Sequence, residues 1–66
     1  MKWELKTYDT NSLPVLTGED GYGRVSIDKD GLIKVEATDY DAESTEIPVD
    51  DMRNLIAAFD AWKARQ

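Results

Sequence analysis

The sequence predicts a small α+β domain, an antiparallel sheet of three to four strands with one C-terminal α-helix packed on it. Two observations predict this. Across residues 23–38 apolar side chains alternate with polar ones at period two, and from residue 48 onward they recur every three or four positions. At 66 residues the chain makes one small core, because a domain of this size buries only about 60% of the surface its unfolded chain exposes. We therefore expect one domain over residues 1–66, with the sheet in 1–47 and the helix in 48–65.

Each element has its own signal. In residues 2–8, Trp3, Leu5 and Thr7 alternate with Lys2, Glu4, Lys6 and Tyr8, the period of a half-buried strand. Asp9 to Ser12 supplies turn formers. The run Leu13-Pro14-Val15-Leu16 reads as a short edge strand, since proline cannot donate into a central ladder. Gly18-Glu19-Asp20-Gly21-Tyr22-Gly23 is a glycine-punctuated loop that ends one hairpin and starts another. Val25 and Ile27, then Ile33, Val35 and Ala37, alternate with polar residues around Asp28-Lys29-Asp30-Gly31. That tetrapeptide suits a type I turn closed by a glycine in the left-handed region, the G1-bulge hairpin connection.

Val49, Met52, Leu55, Ile56, Phe59 and Trp62 line one helical face. Pro48 suits the first helical position, Asp50 and Asp51 fall where the helix dipole favours acid, and Lys63 and Arg65 fall where it favours base. The expected core is Trp3, Leu5, Val25, Ile27, Ile33, Val35, Met52, Leu55, Ile56, Phe59 and Trp62.

Composition excludes most chemistry. With no cysteine and no histidine there is no disulfide framework, no thiol nucleophile, no imidazole base and no zinc site of the usual kind. Apolar runs are far shorter than the roughly 20 residues a membrane helix needs, and the first residues carry no apolar signal core. The expectation is a cytoplasmic, non-enzymatic protein with no cofactor, acting as a monomer.

The formal charge of −6 becomes informative once divided along the chain. Residues 1–35 carry six acids and five bases, residues 52–66 one acid and three bases, and residues 36–51 seven acids and no base. Those seven are Glu36, Asp39, Asp41, Glu43, Glu46, Asp50 and Asp51. If extended, Asp39, Asp41 and Glu43 point one way at intervals of about 6.6 to 6.8 Å. Asp28 and Asp30 in the hairpin turn, and Glu19 and Asp20 in the glycine loop, are candidates to join the patch. Tyr40, inside the acidic row, is the leading contact residue, because tyrosine is large, rigid and part polar. The competing readings are that its ring lies half covered by the helix, that Asp50 and Asp51 answer the helix dipole, and that the other acids only keep the protein in solution.

Other chemistries fit less well. Asp39, Asp41 and Glu43 fall at positions 1, 3 and 5 of a calcium loop and Asp50 at position 12. Ser44, however, stands where that loop needs glycine, and the preceding residues read as strand. Asp28-Lys29-Asp30-Gly31 is a fragment of the same pattern, with Ser26 and Ala37 at its first and last positions. The glycine loop lacks the Gly-Lys-Ser/Thr ending of a phosphate loop. Acid also repels nucleic-acid phosphates and anionic membranes and favours basic protein surfaces.

On this profile of small size, a sheet plus one helix, no cysteine, and clustered Glu36, Asp39, Asp41, Glu43 and Glu46, the chain resembles the small acidic inhibitors encoded by phage. In particular it resembles the anti-CRISPR proteins that act as DNA mimics. The resemblance covers the whole chain and carries no shared motif. It implies an inhibitor that occupies the basic, DNA-reading surface of a type I (Cascade) surveillance complex in the host cytoplasm. The implied contact residues are Asp28, Asp30, Glu36, Asp39, Tyr40, Asp41, Glu43 and Glu46. The alternative is a phage or bacterial accessory module that homodimerises or docks a partner through its sheet edge.

Overall fold

The computed structural model describes residues 2–9, 11–19, 23–37 and 46–66. They form four strands and a helix: β1 (Trp3–Lys6), β2 (Val15–Gly18), β3 (Gly23–Ile27), β4 (Ile33–Ala37) and α1 (Val49–Ala64). The strands make one antiparallel meander in the order β1-β2-β3-β4, so the α+β expectation holds.

At one end of the sheet, here the proximal end, β1 and β3 begin and β2 and β4 finish. The distal end carries the β3–β4 turn. The helix starts proximally, next to Trp3, whose Nε1–H donates to the Glu46 carbonyl at 3.1 Å. It finishes distally, where Trp62 Nε1–H donates to the Asn11 carbonyl at 3.1 Å.

The pairing register decides which side chains meet. Leu5 lies opposite Leu16, Leu16 opposite Val25, Val25 opposite Val35, and Ile27 opposite Ile33, so all share one face. Trp3, Leu16, Val25 and Ile27 from that face pack with Leu55 and Phe59 of the helix, and Leu13, Ile47, Met52 and Trp62 close the cluster. Phe59 and Trp62 stack with ring centroids 5.9 Å apart.

The β3–β4 connection is the expected one. Gly31 has φ 85°, its N–H donates to the Asp28 carbonyl at 2.9 Å, and Asp28 N–H donates to the Leu32 carbonyl at 3.0 Å. The Asp28 carboxylate also accepts from the N–H groups of Asp30 and Leu32, at 2.9 and 3.0 Å. Replacing it leaves two turn N–H groups without their acceptor, so Asp28→Ala should lower stability by about 1 kcal/mol, read from urea unfolding.

Four expectations need correction. The segment with Leu13 to Leu16 is not an edge strand: β2 begins at Val15 and lies between β1 and β3. Pro14 precedes the ladder, so its missing N–H costs no sheet bond, and it is fully buried. β1 is shorter than residues 2–8. Pro48 is the N-cap with extended ψ, not the first helical residue, and its carbonyl accepts from Asp51 and Met52.

The fourth correction concerns the core. Leu5, Ile33, Val35 and Ile56 are exposed by 42, 41, 51 and 44%, while Val15 and Leu16, outside the expected core, are buried. One helix about 10 Å across covers about two strands spaced at about 4.8 Å. This one lies over β1 and β2 and reaches β3 only through Val25 and Ile27. Strand β4 lies beyond its reach.

Candidate acidic interface

The opposite face of the sheet is polar. It presents Glu4 and Lys6 from β1, Val15 and Thr17 from β2, Arg24 and Ser26 from β3, and Lys34 and Glu36 from β4, as the register requires, with Val15 the one apolar residue among them. Around its proximal part lies an open groove of about 470 Å³ lined by Glu4, Lys6, Thr17, Gly18, Glu19, Gly23 and Arg24. Both signs of charge line it. The described residues contain no group of three acids placed to hold a metal ion.

The candidate acids divide between the two ends. Glu36 sits proximally on the polar face, opposite Arg24, with its carboxylate 3.1 Å from Lys34 Nζ. Two bases therefore flank it, and it adds little net field. Glu46 is exposed at the same end, held through its carbonyl by Trp3. Asp50 and Asp51 follow in the first turn of α1, and Arg53 approaches Asp50 at 3.5 Å on the exposed surface.

Asp28 and Asp30 lie in the distal turn. Five residues of β3 separate the ends, a span of about 13 Å. That exceeds the screening length of about 8 Å at physiological salt, so these two acids do not reinforce the proximal group. Asp28 is moreover committed to the turn. Asp39, Tyr40, Asp41 and Glu43 lie outside the described residues, as do Asp20 and Tyr22.

The described residues on either side of the acidic run lie close together in the fold. The segment 38–45 leaves from Ala37 at the proximal end of β4 and returns at Glu46, beside Trp3 at the proximal end of β1. Both flanks of the base-free run and the helix N-terminus thus share one end of the molecule. Two bases share that end, Lys2 just before β1 and Arg53 beside Asp50 at 3.5 Å, and the others lie elsewhere or on another face. Lys29 is in the distal turn, Lys63 is in the last turn of the helix, and Arg24 and Lys34 are on the polar sheet face.

Among the described residues, one carboxylate has a shifted titration. Asp9, in the loop after β1, is held below the usual range by the N–H of Asn11, which donates to it at 2.7 Å, and by the Ser12 side chain. Its role is to fix that loop.

The sequence reading did not anticipate an apolar surface along β4. Leu32, Ile33 and Val35 are exposed, as are Val49 and Ile56 on the helix. The opposite flank of the helix, with Ala58, Ala61 and Arg65, borders Thr7 and Asp9 beyond β1. Helical spacing therefore turns Val49 and Ile56 toward the β4 side. The available signal was an excess of apolar positions over what one helix can cover.

No family model, curated protein or solved structure matches the chain.

Proposed function

We propose that this chain is a non-enzymatic inhibitor whose acidic end mimics DNA and occupies the basic, DNA-binding surface of a type I CRISPR surveillance complex. The observation that supports this is that Ala37 and Glu46, the described residues on either side of 38–45 in the −7 segment, both lie at one end of the sheet beside the acidic first turn of the helix. DNA-reading surfaces gain much of their affinity from charge neutralisation and counterion release. A folded acidic end competes for the same lysines and arginines without base readout, and long-range attraction speeds the encounter.

The test is charge reversal. Asp39→Lys, Asp41→Lys and Glu43→Lys together should weaken binding to a purified type I complex about a hundredfold or more while the circular dichroism spectrum is kept, since opposed like charges cost several kcal/mol. Wild-type binding should fall steeply with salt, and excess duplex DNA should displace the protein. Undiminished inhibition by the folded triple variant would remove the mimicry reading.

A second reading, an accessory module that associates through its sheet edge with the acids merely solvated, is favoured by exposed Leu32, Ile33 and Val35.

A further inference from the structure

We propose that β4 pairs antiparallel with β4 of a second copy, about a two-fold axis through Val35, joining two sheets into one of eight strands. This deepens the second reading by naming its partner and register, and it replaces the monomer expected from sequence. It stands whether or not the acidic end is a mimic.

The backbone restricts the register. Antiparallel ladders alternate between hydrogen-bonded pairs and pairs whose N–H and C=O groups point away from each other. Asp28 donates to Leu32, so Ser26–Lys34 and Arg24–Glu36 are the next bonded pairs, and Ile33, Val35 and Ala37 turn their backbone groups outward. The Glu19 N–H donating to the Lys2 carbonyl gives the same phase at the other edge of the sheet. A second β4 must therefore bond through its own Ile33, Val35 and Ala37.

Charge then selects among the alignments that remain. With the axis at Lys34, that lysine faces the partner's Lys34. With the axis at Glu36, two glutamates face each other. Only the axis at Val35 pairs all five residues of the strand, setting Lys34 against the partner's Glu36 and Glu36 against the partner's Lys34. Those two pairs are the non-hydrogen-bonded kind, in which side chains lie closest.

The same alignment sets Val35 beside the partner's Val35, on the face the helix leaves open. The usual guards of an edge are weak in this strand. It has no proline, and its one lysine is matched by a glutamate two residues on.

Sedimentation equilibrium tests this directly. The wild-type protein should be a dimer, and Lys34→Glu or Glu36→Lys alone should weaken dimerisation about tenfold, since each turns two attractive pairs repulsive. Mixing the two single variants should produce a heterodimer, because their charges are complementary only to each other. Amide exchange on the wild type supplies a readout free of variant folding: Val35 and Ala37 N–H should gain protection as concentration rises. The acidic triple variant should dimerise like wild type, which separates this proposal from mimicry. A wild-type protein that stays monomeric, or a dimer indifferent to Lys34→Glu, would overturn it.

Discussion

Leu55→Ala is expected to lower stability by about 2 to 5 kcal/mol, most of what a domain of this size possesses. Leu55 is fully buried and packs with Phe59 of its own helix and with Trp3, Leu16, Val25 and Ile27 of the sheet. With one thin layer of core there is no second shell to collapse into the cavity. At about 4 to 8 °C per kcal/mol, the thermal midpoint should fall by about 8 °C or more, and the variant should be substantially unfolded at physiological temperature. The next residue supplies the control. Ile56, 44% exposed on the flank toward β4, should lose less than about 1 kcal/mol on truncation to alanine in the monomer. Equal losses at the two positions, measured by thermal and urea melts followed by circular dichroism, would contradict the placement of the helix.

Trp3→Ala is expected to be comparably severe, at about 3 to 5 kcal/mol. The indole is 5% exposed and its ring reaches across β2 to Gly23, where an added Cβ would stand 2.6 Å from Cη2. Gly23 thus has a packing reason for lacking a side chain. Trp3→Phe separates two contributions, since it keeps an aromatic ring and removes the N–H that holds the Glu46 carbonyl. Losing that bond should cost about 1 kcal/mol and free the point where the acidic segment rejoins the fold. Amide exchange at Asp51 and Met52, whose N–H groups donate to the Pro48 carbonyl, should quicken in Trp3→Phe while the sheet amides keep their protection. Unchanged exchange there would show that Trp3 does not tether the entry to the helix.

These two side chains also show how much was legible in the sequence. Leu55 and Phe59 follow from helical periodicity, and Val25 and Ile27 from strand alternation. The β3–β4 turn follows from Asp28 and Gly31, whose chemistry is local. Trp3 was readable as core, but not as the residue that ties the returning end of the acidic segment, at Glu46, to one end of the sheet. That depends on a bond between positions 43 residues apart in the chain. Pro14 misled the reading of β2, because a proline just before a strand and one inside it look alike until the ladder register is known.

The candidate site divides in the same way. The base-free run of seven acids is written in the sequence, as is the absence of residues for nucleophilic or zinc chemistry. Periodicity and turn chemistry act over a few residues, so the sequence by itself determined which elements form and where the charge is concentrated. Only the tertiary structure decided that Asp28 and Asp30 stand about 13 Å or more from the proximal acids, that Glu36 faces Arg24, and that Ile33, Val35 and Ile56 stay uncovered. Alternation marks a face as apolar without saying what covers it. One helix spans about two strands, so Ile33 and Val35 on the far half of that face stay exposed.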